Sequence, residues 1–351
     1  MLPYIILLIF TILVVMYQER NGTLKIKVMG LCVDVIPIFV YLMYVTFFSL
    51  REYIGYDYPR YVNVVINDDI IGYEGRNEYI SALFLHLAYL NGDYHLFFFL
   101  VAIVSFAGFI YSLYKYIEDK ASLGWGMLAF LALPMGFTEM LSPQRQFLAL
   151  GIFLLSFKYL LNGRFKKYIL VVVVSMLSHV ASVIGLLLYS VRHSFVTKKS
   201  IAIITVLMFV CCFFAIKILS QMIPFFGHYI EVMKFAEGGG ELQLILYLLI
   251  GAFSIYIGFY NKSRDYHLLL KTFLVGVSIS VILAPFDLKL GFRMAQYGIY
   301  SFMFMIPMYF PVFGKYRNIV KIFAVIILSF LYLYNLSVTY DDFYLPYKTW
   351  L

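Results

Sequence analysis

The sequence predicts an all-α, polytopic transmembrane bundle, and three observations support that prediction. Hydrophobic residues make up 63% of the 351 residues, whereas charged residues make up only 13%. The mean hydropathy is +0.88, which a soluble core of this size does not require. Apolar runs such as 143–161 are long enough, because a helix of that length rises about 28 Å and crosses the hydrocarbon core.

Apolar runs follow one another along the chain, and each predicts a helix within a single integral-membrane domain, 1–351. They are 2–17, 28–50, 95–117, 123–140, 143–161, 168–191, 201–224, 242–260, 268–286, 292–313 and 319–338. No soluble domain, internal repeat or low-complexity linker interrupts them. The first run has no basic segment before it and no small-residue cleavage site after it, so we expect a retained helix.

Lysine and arginine predict the orientation of the bundle. They concentrate in the loops 18–27, 158–167, 261–267 and 314–321. Because basic loops stay in the cytoplasm, this distribution places both chain termini outside.

Segment 78–91 is too short to span the membrane comfortably, and we expect it along the outer interface. Its apolar stripe lies opposite Glu78, Ser81 and His86. The stripe consists of Ile80, Leu83, Phe84, Leu87 and Ala88.

Segment 168–191 needs a break so that the basic loop after it, Arg192 to Lys199, lies inside. A break near Ser178-His179 gives two half-helices that dip into the membrane and return. Irregular backbone of this kind is tolerated where protein or a wet cavity surrounds it.

Composition excludes several classes of function. The net charge is +8, but most basic residues lie in short loops between apolar runs, so we expect no nucleic-acid partner. Cys32, Cys211 and Cys212 all fall inside apolar segments, which predicts neither a disulfide framework nor a thiolate metal site. There is no Walker-type loop, HExxH or GxSxG motif, so we expect no metal and no cofactor.

Some basic residues lie on the predicted outer side, against the topology rule, and they direct the search for a functional site. These residues are Arg51, Arg60, Arg76, Arg145, Lys234, Lys289, Arg293 and Lys348. Most are arginine, whose guanidinium offers bidentate donors to phosphate.

The stretch 138–146 predicts an anion site. Ser142 suits the N-cap of a helix and Pro143 its first position, so Arg145 and Gln146 would lie in the first turn. Unpaired N–H groups and the helix dipole favour an anion there, and a guanidinium adds to them. Alternatively, Ser-Pro only starts a helix and Arg145 reaches a lipid headgroup.

Arg293, followed by Tyr297, occupies the outer mouth of another helix. Arg145 and Arg293 together with a helix N-terminus would hold a pyrophosphate, so we expect the two arginines to meet in one outward-facing cleft.

The outer loop 51–94 combines tyrosines with acids and arginines. Arg51, Asp57, Tyr58 and Arg76 are candidates to bind sugar, because rings stack on sugar faces and carboxylates accept hydroxyl protons. The alternative is an aromatic belt at the interface, with Arg51 and Asp57 as a structural pair.

A second outer loop, 225–241, carries His228 and Tyr229 as candidate substrate-binding residues and ends in a glycine run. It is either a lid or a loose connection.

His179 lies in the middle of 168–191, flanked by Ser175, Ser178 and Ser182. An ionisable group at membrane depth is a functional candidate by default. The alternative is a neutral histidine bonded to a backbone carbonyl at the helix break.

Five short motifs follow one another along the chain. They are Arg51-x3-Gly55-x-Asp57-Tyr58, Glu78 heading a short segment, Arg145-Gln146 at a helix start, His179 in Ser-His-Val-Ala-Ser, and Arg293-x3-Tyr297. In this order, over roughly residues 50–300, they resemble the EpsG family, which is similar to the Wzy-type O-antigen polymerases. Ser178 departs from the family, in which an aromatic residue is common at that place.

The resemblance implies a glycosyltransferase of the bacterial inner membrane that polymerises oligosaccharide units carried on undecaprenyl pyrophosphate. It would work at the periplasmic face without a metal or nucleotide sugar. Its partners would be the lipid-linked oligosaccharides and the bilayer, with a chain-length regulator as a further candidate.

In that reaction Arg145 and Arg293 would stabilise the charge that develops on the leaving pyrophosphate. His179, Glu78 and Asp57 are the candidates for the base that accepts the proton of the acceptor hydroxyl. Gln146 and Tyr297 would help to bind the substrate.

Two other classes of function stay open at this point. A flippase or transporter of lipid-linked sugars would also need a basic, aromatic cavity. A membrane-bound acyltransferase or ligase would also use a mid-membrane histidine.

Overall fold

The computed structural model describes residues 1–28, 31–70, 77–116, 121–134, 136–193, 240–283, 288–339 and 347–350. Helices dominate these ranges, which confirms the predicted all-α fold. Five helical stretches among the described residues are long and apolar enough to cross a membrane. They are Leu2–Asn21, His95–Tyr116, Leu242–Tyr260, Arg264–Leu283 and a stretch within Gly291–Ser337.

The first part of the chain forms helices around one small hairpin. The elements are α1 (Leu2–Asn21), the antiparallel strands β1 (Lys25–Val28) and β2 (Leu31–Asp34), α2 (Val35–Ser49), α3 (Tyr58–Asn67), α4 (Tyr79–Asn91) and α5 (His95–Tyr116). The Asp34 carboxylate accepts a hydrogen bond from the Ile36 N–H and so caps α2, as a short acidic side chain at an N-cap does.

The middle of the chain forms shorter helices than the apolar runs predict. They are α6 (Ser122–Ala132), α7 (Phe137–Met140), α8 (Gln144–Leu154), α9 (Phe157–Asn162), α10 (Phe165–Met176), a 3₁₀-helix (Val180–Val183) and α11 (Ile184–Ser190). Run 123–140 is split because Leu133 precedes Pro134 and takes an extended conformation, which proline imposes on its neighbour.

The last part contains longer helices. They are α12 (Gly240–Tyr260), α13 (Arg264–Leu283), α14 (Leu288–Ile299), α15 (Ser301–Met305), two 3₁₀-helices (Ile306–Met308 and Phe310–Tyr316) and α16 (Arg317–Thr339). The predicted run 201–224 lies outside the described residues.

Helices α10 and α11 confirm the predicted break and return. The chain leaves the helix after Met176, and His179 is extended, with φ −158° and ψ 124°. The Tyr168 hydroxyl donates to the Gly185 carbonyl at 2.6 Å, and the rings of Tyr168 and Tyr189 lie 5.0 Å apart. The start of α10 therefore lies beside the end of α11, so the two half-helices form a hairpin.

Small residues allow the central helices to approach closely. A Cβ on Gly108 of α5 would lie 2.0 Å from the Gly151 carbonyl oxygen of α8, and a Cβ on Gly151 would lie 2.4 Å from the Ser105 Cα. Gly276 and Gly298 make a similar approach between α13 and α14. Such close contacts stabilise helix pairs in a bilayer. Apolar side chains gain little free energy there from moving out of lipid into the protein, so close packing contributes more.

The two ends of the chain lie at one end of the bundle. The rings of Tyr4 and Tyr347 are 5.5 Å apart, and the Trp350 N–H donates to the Leu50 carbonyl at 3.3 Å. At the other end Lys321 pairs with Glu19. Both termini thus share a side with the loop that follows α2, as the predicted orientation requires, although which side is outside stays a prediction.

Helix α4 packs through small residues rather than through its predicted apolar stripe. Its buried residues are Ser81, Ala82, Leu85 and Ala88, whereas Leu83 and Leu87 are exposed. The exposed apolar side chains suit contact with lipid. The buried face is stabilised by close packing and hydrogen bonds, which contribute more than hydrophobicity in a bilayer.

We expect Gly151→Ala to destabilise the bundle, because its methyl group would meet the backbone of Ser105. Overpacking of this kind costs about 1–3 kcal/mol. The measurement is thermal melting of the detergent-solubilised protein. Gly251→Ala is the matched control, since a Cβ there makes only ordinary contacts with Leu274 and Phe273; equal melting of the two variants would contradict the close approach.

Candidate active site

The carboxylate of Glu78 joins two other predicted site residues. Glu78 immediately precedes α4, and its side chain is only 1% exposed. One oxygen accepts a hydrogen bond from the Arg145 guanidinium. The other lies 2.7 Å from Nδ1 of His179 and 3.4 Å from the Val180 backbone nitrogen. Three segments far apart in sequence therefore meet at one buried charge.

The hydrogen bond to Glu78 determines which nitrogen of the His179 ring carries a proton when the ring is neutral. An ionised carboxylate can only accept hydrogen bonds, so Nδ1 of His179 carries a proton. In a neutral imidazole the other nitrogen, Nε2, is then an acceptor. The arrangement orients the histidine with a carboxylate behind it, as in acid–base sites.

Two opposing effects act on the pKa of Glu78. Burial raises it, whereas the hydrogen bond from His179 and the charges of Arg145 and His179 lower it, and the lowering prevails. Glu78 is thus ionised at neutral pH. The stability that it contributes is lost only as pH falls through this lowered pKa.

The break between α10 and the 3₁₀-helix is held in place by the start of α4. The Ile80 N–H donates to the Leu177 carbonyl at 2.8 Å, and the Ser81 hydroxyl donates to the Ser178 carbonyl at 2.7 Å. Backbone groups released by a helix break must find partners inside the protein. Helix α4 supplies them, and in doing so it places Glu78 against His179.

Serines predicted to flank His179 also hold the break. The Ser175 hydroxyl donates to the Ala149 carbonyl of α8 at 2.7 Å, and the Ser182 hydroxyl donates to the His179 carbonyl at 2.6 Å. The first contact anchors α10 to α8, and the second closes the turn after His179. Ser175 and Ser182 are therefore structural.

Arg145 lies in the first turn of α8, as predicted, but the predicted cap is wrong. The helix begins at Gln144, Pro143 takes the N-cap place, and no side chain caps the helix. The Ser142 hydroxyl instead accepts from the Asp57 N–H at 3.0 Å. This contact across 85 residues engages the oxygen that an N-cap would use.

Gly55 allows the loop after α2 to reach this helix start. Its φ is +103°, and a Cβ there would lie 2.3 Å from the Leu141 carbonyl oxygen. Only glycine accepts both the conformation and the close approach. The loop consequently holds Asp57 beside Ser142.

Gln146 connects α8 to α14. Its side-chain amide donates to the Arg293 carbonyl at 2.9 Å and to Oε1 of Gln296 at 2.5 Å. Both glutamines are almost fully buried. The link brings the helix that carries Arg293 against the helix that carries Arg145.

Arg145, Arg293 and His179 line one hollow of about 60 Å³. The other lining residues are Asp57, Arg60, Tyr61, Pro143 and Gln146. Arginines come from three separate helices, whereas Asp57 is the one acid among the described residues that line it. Within the described ranges no ion pair engages the Arg293 guanidinium. The hollow suits an anion.

Two predicted sugar-binding residues lie in the core instead of in the hollow. Arg51 is 0% exposed, and its guanidinium carbon lies 3.8 Å from the centre of the Phe48 ring. It donates to the carbonyls of Phe48, Ile54 and Leu141. Tyr58 is also buried. Both residues fix the outer loop to the bundle.

Tyr58 stacks on Phe98 with ring centres 4.1 Å apart and an interplanar angle of 4°. Tyr297 is buried as well, with its ring 5.1 Å from that of Phe153. Neither ring lines the hollow. Arg76, His228 and Tyr229 lie outside the described residues.

Arg60 and Tyr61 line the hollow, although neither was assigned a role in the predicted site. Arg60 was predicted only as one of the outer basic residues, and Tyr61 was missed. They follow Asp57 by three and four residues, which places all three on one face at the start of α3 and was a further signal. Gln296 was also missed, and it follows Arg293 by three residues in the same way.

No group of three or more histidine, cysteine, aspartate or glutamate residues that could hold a metal ion occurs in the ranges that the structure describes.

Comparison with known proteins identifies a family. The model of the EpsG family matches residues 34–349, which is most of the chain. No curated protein and no solved structure matches the chain. The match spans every element that builds the hollow, and the chain belongs to the EpsG family.

Proposed function

We propose that this chain is a membrane glycosyltransferase that polymerises oligosaccharide units carried on a polyprenyl diphosphate. Family membership supports the coarser part of this proposal, because the EpsG family is associated with Wzy-type polymerase-like proteins. The finer part rests on one observation. A buried carboxylate holds an arginine and a histidine beside a second arginine at one hollow.

In the proposed reaction the hydroxyl oxygen of an acceptor sugar attacks the anomeric carbon of the donor chain. The bond between that carbon and the diphosphate oxygen breaks, and its electron pair leaves with the lipid diphosphate. The hydroxyl proton passes to Nε2 of His179, while Nδ1 remains bonded to Glu78.

Among the three candidate bases, the contacts favour His179. Both carboxylate oxygens of Glu78 already accept hydrogen bonds, so Glu78 is better placed to orient than to accept a proton. Asp57 also lines the hollow, but the described contacts of its carboxylate include nothing like the bond by which Glu78 orients His179. His179 lines the hollow and retains an acceptor nitrogen.

Arg145, Arg293 and Arg60 would stabilise the negative charge that develops on the leaving diphosphate. The hollow of about 60 Å³ is far below the roughly 300–1,000 Å³ usual for ligand pockets. We propose that a phosphate group enters it and that the sugars stay outside. Localisation at the inner membrane, with the hollow on the periplasmic side, is part of the same proposal.

The direct test uses the purified full chain in lipid vesicles with lipid-linked oligosaccharide, followed by sizing of the product. We expect products longer than the supplied unit. Movement of the unextended unit from one leaflet of the vesicle membrane to the other would instead indicate a flippase. Transfer to a non-glycan acceptor without chain extension would indicate a ligase.

Arg293→Ala should lower chain extension about 100- to 1,000-fold, as loss of one charge-stabilising donor does at other active sites. Arg293→Lys should recover only part of this loss, because lysine keeps the charge but loses the fork. Product length and amount in the vesicle assay give the result. Arg164→Ala is the control, since Arg164 is exposed outside the hollow; undiminished product from Arg293→Ala would remove Arg293 from the site.

His179→Ala should lower chain extension about 100- to 10,000-fold, because a general base commonly contributes that much. His86→Ala is the matched control, since His86 is exposed on α4. Protein amount should match wild type in both variants. His86→Ala should also melt like wild type, whereas His179→Ala should melt earlier, because it removes one partner of the buried Glu78 carboxylate. Chain extension is therefore compared below the melting temperature of both variants.

Glu78→Gln tests whether Glu78 acts through His179. Adding His179→Ala to Glu78→Gln should lower chain extension little further, because residues that act as one unit are not additive. A full additional loss on adding His179→Ala would separate Glu78 from the base.

A further inference from the structure

A second, larger cavity lies away from the hollow. Its volume is about 690 Å³, within the roughly 300–1,000 Å³ usual for ligand pockets. It lies between the end of α5, helix α9, the turn from α12 to α13 and the 3₁₀ segments before α16. None of the described residues lines both this cavity and the hollow, so the two sites are separate.

The charged lining of this cavity is mainly basic. Among the described residues of the lining, Lys115, Lys158 and Lys262 come from three different segments, and Asp265 is the acidic one. No ion pair with any of these lysines occurs among the residues that the structure describes. Three ammonium groups around one carboxylate favour an anionic ligand.

The remaining wall is apolar and aromatic. It includes Tyr116, Tyr260, Pro307, Met308 and Val312. A small hydrophilic anion gains nothing from such a wall, whereas an amphiphile uses both parts. The combination of lysines and apolar groups therefore fits a charged headgroup attached to a glycerol or acyl portion.

The rim of the cavity is held by side-chain to backbone bonds. The Asn261 amide donates to the Met308 carbonyl at 2.9 Å, and its oxygen accepts from the Ser263 N–H at 2.9 Å. Asn261 thus ties the turn between α12 and α13 to the segment that forms the opposite wall. The cavity exists before a ligand enters, which reduces the cost of binding.

The cavity lies at the depth of lipid headgroups. Helices α5 and α12 are long and apolar enough to cross a membrane, and both end at its edge. Basic pockets between transmembrane helices at this depth are suited to anionic phospholipids. We propose that the lysine cavity, defined by Lys115, Lys158 and Lys262, binds the phosphate of an anionic phospholipid headgroup.

The test compares lipid retention by the purified full-length chain in mixed micelles, using phosphatidylglycerol and phosphatidylcholine as probes and native mass spectrometry as the readout. Wild type should retain phosphatidylglycerol in preference. Lys115→Gln/Lys158→Gln/Lys262→Gln should weaken that retention tenfold or more, since each lysine near the membrane surface contributes about fivefold.

Lys166→Gln/Lys167→Gln/Lys315→Gln is the matched control, because it removes the same charge from exposed lysines outside the cavity. It should retain the lipid within about twofold of wild type. An equal loss in both triple variants, or no preference in wild type, overturns the proposal.

A single variant and a soluble probe complete the experiment. If the triple variant melts early, Lys158→Gln alone is used, since Lys158 is the least exposed of the three, and a loss of about fivefold is expected. Glycerol 3-phosphate in solution is the third probe. If it binds wild type as tightly as the lipid does, and binding is lost in the variant, the site takes a soluble phosphate and the lipid assignment is wrong.

Discussion

The ionised carboxylate of Glu78 is the constraint on which the rest of the site depends. A buried charge is costly unless it is paired and hydrogen-bonded, and removing one partner commonly costs about 3–5 kcal/mol. Glu78 meets this requirement through Arg145, His179 and the Val180 N–H. The start of α8, the break after α10 and the residue before α4 must therefore come together. One electrostatic requirement assembles the catalytic candidates.

The membrane imposes a second requirement that has the same outcome. A helix that breaks near His179 releases backbone groups, and lipid cannot satisfy them. Helix α4 provides the partners through Ile80 and Ser81, and these contacts fix the residue just before the helix, Glu78. Close packing at Gly108 and Gly151 then holds α8 against α5. The packing that stabilises the bundle thus also positions the charge.

The sequence was sufficient for most of the described helices, the break near His179 and the placing of Arg145 in a first turn, because hydropathy, loop charge and local residue type determine them. The predicted helix start at Arg293 is wrong, since that helix begins at Leu288 and Arg293 lies within it. The sequence was also not sufficient for Ser142 or Arg51. The Ser142 hydroxyl is used by Asp57, 85 residues away, and the Arg51 guanidinium is satisfied by backbone carbonyls and the Phe48 ring. Such long-range contacts determine whether an arginine is buried in the core or faces the hollow. The local sequence does not predict these contacts.

The contacts of Arg145 also indicate how binding and catalysis could be coupled. A guanidinium has five N–H donors in a planar fork, so Arg145 can bond to Glu78 and still face an anion in the hollow. In the proposed reaction an arriving diphosphate would draw positive charge away from Glu78. The carboxylate would then depend more on its bond to Nδ1 of His179, which keeps the ring oriented toward the acceptor hydroxyl. The pair of Arg145 and Glu78 would thus link binding of the donor to the orientation of the base.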